Sequence, residues 1–209
     1  AAMLLPALNK AREKAQTAGC TNNLKQVGVA INLYIDDNDS YFPFTGKGVT
    51  YTWAITLSNL LNTTRTTAAS GSSGVLEYKS SNMLFCPSHK HKLLRGNFVN
   101  SDYFVNKSLF QENASTTAVN GEKSTVLRQP ARTALVADGT DSLTGGSYAV
   151  FHSIGALQYG PPYSGFVHGD GLNLLFADGH VEWRSKYNNG IKQDLMYRES
   201  EGIYTPYLY

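Results

Sequence analysis

The first pattern along the chain is helical. Over residues 3–35 the only glycines are Gly19 and Gly28 and the only proline is Pro6. Leu4, Leu8, Ala11 and Ala15 recur at helical spacing. Leu24, Val27, Ile31 and Tyr34 do the same, with Gly28 and Ile35 beside them. Lys10, Arg12, Glu13, Lys14, Asn22, Asn23, Lys25 and Gln26 fill the positions between. Such a helix is roughly 50 Å long at ~1.5 Å per residue. Its first half offers a thin, mostly alanine face and is expected to project from the body. Its second half carries larger apolar residues and is expected to pack on a sheet.

The helical pattern stops at Asp36-Asp37-Asn38-Asp39-Ser40. A calcium loop of the EF-hand kind wants Gly and later Glu where this chain has Tyr41 and Lys47, so that loop is rejected. The acidic run reads as a solvated exit turn, with a different kind of cation site as the alternative. Residues 51–61 are apolar around Trp53, Ile55, Leu57 and Leu60 and predict a helix, whereas residues 62–74 (NTTRTTAASGSSG) predict a surface loop.

The second half changes period. Residues 132–137, 147–152 and 172–177 are short strand candidates, and residues 180–184 follow the last of them after Asp178-Gly179. Two apolar runs joined by Asp-Gly predict a hairpin. On its return strand Val181 and Trp183 share one face, and His180, Glu182 and Arg184 the other. The endings Val136-Ala137-Asp138-Gly139 and Phe176-Ala177-Asp178-Gly179 look alike without a longer repeat. The aromatic tail, residues 204–209, is expected to fold back on the surface. The expected architecture is α+β: a long N-terminal helix, residues 1–35, packed on an antiparallel sheet within a loop-rich body, residues 36–209.

Composition narrows the class. Among 209 residues, 42% are hydrophobic, enough for a core, and 16% are charged, below the roughly 25% of an average soluble protein. Ser, Thr, Asn, Gly and Tyr supply the polarity instead, a balance common in exported and surface proteins. A net charge of +2, with no stripe of positive residues, argues against nucleic acid as a partner. A membrane-spanning helix needs about 20 apolar residues, and Ala1-Ala2-Met3-Leu4-Leu5 is much shorter. It reads either as the tail of a longer apolar run trimmed upstream, or as an ordinary helix start with Pro6 in the first turn. Cys20 and Cys86 lie far apart in the chain. In an oxidising compartment they form one bridge, contributing roughly 2–4 kcal/mol; in the cytosol they are two buried thiols.

Leu4-Leu5-Pro6-Ala7-Leu8, the stretch Ala11-Arg12-Glu13-Lys14-Ala15, Cys20, Asn23-Leu24-Lys25-Gln26 and Tyr41-Phe42-Pro43 together resemble the N-terminal region of a bacterial prepilin-like family. Members of that family carry a C-terminal mark, His followed by nine residues and Asp-Gly; here it is matched by His168, Asp178 and Gly179. Phe85-Cys86-Pro87-Ser88, Ser101-Asp102-Tyr103 with Asn106, and Thr133-Ala134-Leu135-Val136-Ala137-Asp138 match between them. The resemblance spans nearly the whole chain and is similar to pseudopilins of type II secretion and to type IV pilins. It implies a pilin-like fold and a structural role in a pseudopilus-like filament. It also implies an upstream apolar helix, cut and methylated by a prepilin peptidase. That helix anchors the subunit in the bacterial inner membrane, facing the periplasm or cell surface, and later packs against like subunits. Calcium is implied by analogy with secretion pseudopilins, with no ligands assigned.

Candidate chemistry is sparse. His168, Asp170, Asp178 and His180 offer imidazoles and carboxylates of the kind that bind transition metals. With the intervening strand extended, His168 and Asp178 stand ~30 Å apart, which argues against one site and for a turn at Asp178-Gly179, with His168 bonded to a backbone group or carboxylate elsewhere. Cys86, His89 and His91 offer three further ligands, where a structural zinc site wants four. No Gly-x-Ser-x-Gly elbow, phosphate loop or His-Glu-x-x-His occurs, so the chain is not expected to be an enzyme. The main alternative to a filament subunit is a membrane-tethered binding module holding a glycan or protein. A metal-dependent hydrolase built on His168 is the third.

Overall fold

The computed structural model describes residues 4–46, 53–57, 60–61, 64–67, 74–77, 83–88, 102–110, 112–113, 121–138, 150–151, 168–169 and 171–185. The chain is α+β. Helix α1 (Leu4–Asp37) is followed by β1 (Thr45–Gly46), α2 (Trp53–Thr56), β2 (Thr64–Thr67), β3 (Gly74–Glu77), β4 (Tyr103–Asn106), α3 (Lys107–Phe110) and β5 (Glu112–Asn113). Then come β6 (Ala134–Asp138), β7 (Val150–Phe151), β8 (Gly171–Phe176) and β9 (Val181–Ser185). The main sheet has the order β7-β4-β6-β8-β9. Neighbours from β4 to β9 run antiparallel, and β7 joins the β4 edge in parallel. Among the described residues no helix is long and apolar enough to cross a membrane.

Helix α1 presents two different faces. Cys20, Leu24, Val27 and Ile31 are fully buried against the sheet. At Gly28 a methyl group would lie 3.0 Å from Leu175 Cδ1, so the missing side chain lets the helix settle onto β8. Residues 5–15 are exposed all round, as expected of a projecting half. The helix ends in the solvated exit turn expected of its acidic run. Asn38 Nδ2 donates to Tyr34 O (2.8 Å), Ser40 N donates to Ile35 O, and Asp39 and Ser40 take left-handed φ values of 48° and 66°.

Strand pairing sorts the sheet into cross-strand rows. On the helix-facing side Val105, Val136, Leu175 and Val181 stand opposite one another and form an apolar row. Further along the same side, Tyr103 faces Asp138, Asp138 is bonded to Asn173, and Asn173 faces Trp183. The other side carries Phe104, Ala134, Ala137, Leu172, Leu174 and Phe176, a second apolar cluster. With both sides covered, β6 and β8 are buried at every position, which is why they read as continuous apolar runs rather than as alternation.

Three expectations change. The stretch 62–74 expected as loop contributes β2, which pairs antiparallel with β3; Thr-rich sequence suits an extended ribbon as well as a loop. The middle helix is one turn, α2, with Leu61 N donating to Leu57 O beyond it. Trp53, Leu57 and Leu61 are buried, whereas Leu60 is exposed. The β8–β9 hairpin turns through Ala177, Asp178 and Gly179 rather than through Asp-Gly alone. Gly179 N donates to Phe176 O and Gly179 sits at φ 88°, the left-handed position that a three-residue hairpin loop reserves for glycine. Of the strand candidate 147–152, residues 150–151 form β7; the aromatic tail lies outside the described residues.

Candidate functional site

Four side chains that could each ligate a cation converge where the polar row passes under α1. They are Cys20, Cys86, Asp138 and His168, all buried, with their ligating atoms within 4.8 Å of one another. Each comes from a different part of the chain. Cys20 lies on the sheet-facing side of α1, one turn before Leu24. Asp138 closes β6, and the register that pairs it with Tyr103 points it toward the helix. His168 precedes β8, and its carbonyl accepts from Trp183 Nε1 at 3.3 Å. Cys86 belongs to the segment 83–88, which the helix holds from both sides. Gln16 Nε2 donates to Pro87 O and Asn23 Nδ2 donates to Phe85 O, each at 3.1 Å. Asp102 secures the same segment by accepting from Cys86 N at 2.7 Å, while Asp102 N donates to Leu84 O.

Inside the cluster the contacts form a ring. His168 Nε2 lies 3.0 Å from Asp138 Oδ2 and 3.2 Å from Cys86 Sγ. Cys20 Sγ lies 3.1 Å from Asp138 Oδ2 and 3.4 Å from Cys86 Sγ. Tyr103 Oη touches Cys20 Sγ at 3.3 Å. An outer layer orients these groups. Asn173 donates to Asp138 twice, from its backbone N and from Nδ2, both at 2.7 Å. His168 Nδ1 meets Thr17 Oγ1 at 3.1 Å and Ser88 Oγ at 3.2 Å. Thr17 spends its hydroxyl proton on Glu13 O (2.9 Å), so toward His168 it accepts. With Nδ1–H donating to Thr17, Nε2 is the nitrogen turned to the cluster.

The electrostatics follow from burial and crowding. The Cys20 thiol is pushed well above its ordinary range by its contact with Cys86, by burial and by the Asp138 charge. The Cys86 thiol is drawn down to about 5 by the Cys20 contact and by His168, against the effect of burial. Burial alone would lower the His168 pKa, but bonding to Asp138 and Cys86 raises it to about 9. Burial, with Cys20 alongside, raises the Tyr103 hydroxyl. A thiol held in its neutral form, a thiol drawn toward its anion and a carboxylate thus face one imidazole in a buried site. Such a centre is suited to holding a cation or to forming a sulfur–sulfur bond. It is poorly suited to a Cys-His-Asp hydrolase, which needs the carboxylate on the imidazole nitrogen remote from the sulfur; here Asp138 and Cys86 share Nε2.

The sequence candidates separate accordingly. Cys20 and Cys86 are brought together, but as free thiols, their separation well beyond a bond of roughly 2.05 Å. His168 is central, and its partner is Asp138. Asp178 and Gly179 form the hairpin turn at the opposite end of β8. There His180 is partly exposed, stacks on Phe176 with ring centroids 4.3 Å apart and bonds Asp178. His180 therefore does not join His168, and the two halves of the His-x9-Asp-Gly mark serve different ends of one strand. Asp170, His89 and His91 lie outside the described residues. The sequence alone does not mark Asp138, Asn173 or Tyr103 as site residues. Their signal is a polar residue inside or ending an otherwise buried run: Asp138 after ALVA, Asn173 within GLNLLF.

Comparison of the chain with known families, with curated proteins and with solved structures found no match.

Proposed function

We propose that this chain is the water-exposed part of a pilin-like or pseudopilin-like filament subunit, structural rather than enzymatic. The observation that carries this reading is the outer face of α1. Leu8, Ala11, Ala15, Ala18, Val29 and Leu33 are all exposed, on the side away from the buried Cys20, Leu24, Val27 and Ile31. They recur at steps of three and four, with Asn22 and Lys25 filling the two positions between Ala18 and Val29, the spacing by which like helices pack side by side. Small residues predominate in the projecting half, where helix axes in a bundle or membrane come closest. A helix that is apolar on two opposite sides, with one side already on the sheet, fits a second copy of itself on the other.

In this reading an upstream apolar continuation of α1 anchors the subunit in the bacterial inner membrane, facing the periplasm or cell surface. A prepilin peptidase processes it, and assembly buries the helix among like subunits, as in type II secretion. The test uses the full-length protein in the membranes of its native host, with Ala15→Cys or Leu33→Cys introduced. Both native cysteines are buried, so a bismaleimide reports the new thiol. The expected result is a ladder of cross-linked oligomers for both variants. Monomer alone, at native expression and with both thiols reactive, overturns the reading.

A further inference from the structure

We infer that Cys20, Cys86, Asp138 and His168 form a structural zinc-type site that clamps α1 to the sheet. This does not depend on the filament reading. A structural zinc centre takes four protein ligands of thiolate, imidazole and carboxylate type in a closed tetrahedron. The set here is two sulfurs, one nitrogen and one oxygen, and no coordination position is left open to solvent because all four residues are buried.

The geometry is close to what a metal needs. Metal bonds of about 2.0–2.3 Å at tetrahedral angles place ligand atoms ~3.3–3.8 Å apart. The four measured edges of the ring are 3.0, 3.1, 3.2 and 3.4 Å. A cation at the centre asks each edge to open by a few tenths of an ångström, a movement of side chains alone. Ligand choice favours a borderline-soft divalent ion, because thiolates with imidazole select zinc over calcium or magnesium.

The outer contacts are those a metal site uses. Zinc-binding imidazoles donate their far N–H to an oxygen, which fixes the ring; His168 Nδ1 meets Thr17 Oγ1, whose own proton goes to Glu13 O. Asp138 is held by both donors of Asn173 with Oδ2 turned inward. Cys86 is set by its backbone bond to Asp102, and Tyr103 stands against Cys20. Binding replaces the two thiol protons, which leave to solvent, and any proton on Nε2, so that one divalent ion meets two thiolates, one carboxylate and a neutral imidazole. The clamp would join four segments that share no local sequence: the helix, the segment 83–88, β6 and the entry to β8.

The test starts with the whole chain purified under reducing conditions, its metal counted by mass spectrometry and then exchanged for cobalt(II). The expected result is one zinc per chain. Its cobalt form should show thiolate-to-cobalt charge transfer in the near ultraviolet and the intense visible bands of tetrahedral cobalt. These spectra need no variant to fold. Cys86→Ser should lose about half of the charge transfer, and Thr17→Val should weaken zinc in a chelator competition by roughly 10–100-fold, the usual effect of removing an outer partner. The double variant His89→Ala with His91→Ala should bind as the parent does. Three results would each overturn the site: a reduced chain that retains no zinc, a cobalt spectrum without charge transfer, or native protein with a Cys20–Cys86 bond and no metal.

Discussion

Replacing Gly28 by alanine tests how α1 is docked. In an isolated helix the change stabilises by about 1 kcal/mol, because glycine has the larger backbone freedom to lose. In this fold the new methyl group lies 3.0 and 3.3 Å from the two terminal carbons of Leu175 and 3.7 Å from its Cγ. Leu175 is fully buried between the helix and Val136 and Val181, so it has no room to withdraw. Overpacking of this kind costs roughly 1–3 kcal/mol. Gly28→Ala should therefore destabilise the chain by about 1 kcal/mol in spite of its helix propensity. Leu175→Ala alone should cost about 2–5 kcal/mol through lost burial and a cavity. In that background every atom the methyl group would strike is gone, and Gly28→Ala should now stabilise by about 1 kcal/mol. The coupling between the two changes is then about 2 kcal/mol, well outside ordinary additivity. Urea unfolding of the four proteins, followed by circular dichroism, measures it. If Gly28→Ala shifts stability by the same sign and amount in both backgrounds, the helix does not rest on Leu175 and the packing described here is wrong.

Two further outcomes follow from the site and the hairpin. Asn173→Ala removes one of the two Asn173 donors to Asp138, a hydrogen bond to a buried carboxylate oxygen that keeps its contacts with His168 and Cys20. Urea unfolding should show a loss of about 1–3 kcal/mol, while the backbone bond from residue 173 preserves the pairing of β6 with β8. At the far end of β8, modest burial opposes but bonds from the backbone and ring of His180 outweigh it, holding the Asp178 carboxyl below its ordinary value. A depressed carboxyl contributes stability above its unfolded value and loses it as pH falls through the folded one. A carboxyl-detected NMR titration should accordingly place the Asp178 midpoint lower than in a His180→Ala variant, and an equal midpoint in the two proteins would refute the pairing.

The two Ala-Asp-Gly endings show where reading along the chain stops. Asp138 and Asp178 sit in nearly the same local sequence, each closing an apolar strand. Asp178 is exposed in a turn, and Asp138 is fully buried at the centre of the ligand cluster. Neighbours three or four residues away do not distinguish them. What separates them is which strand lies alongside: β4 and β8 flank Asp138, whereas Asp178 lies in the loop where β8 turns back. The stripe of Leu24, Val27 and Ile31 and the hairpin about Gly179 were legible because each rests on spacing of a few residues. The strand β2 was hidden by a composition that loops and extended ribbons share.

What the chain determines by itself is therefore local. It sets a helix long enough to carry two apolar faces, apolar runs for β6 and β8, and a glycine where the hairpin needs a left-handed residue. The meeting of Cys20, Cys86, Asp138 and His168 was decided by tertiary structure alone, through strand register and helix docking. Side chains alternate across a strand, so a slip of one residue in β6 would put Ala137 under the helix and send Asp138 to the opposite side. The row Val105, Val136, Leu175 and Val181 prevents that slip by matching the apolar face of α1. The polar row beside it, from Tyr103 through Asp138 to Asn173, is carried into place beneath Cys20 by the same register.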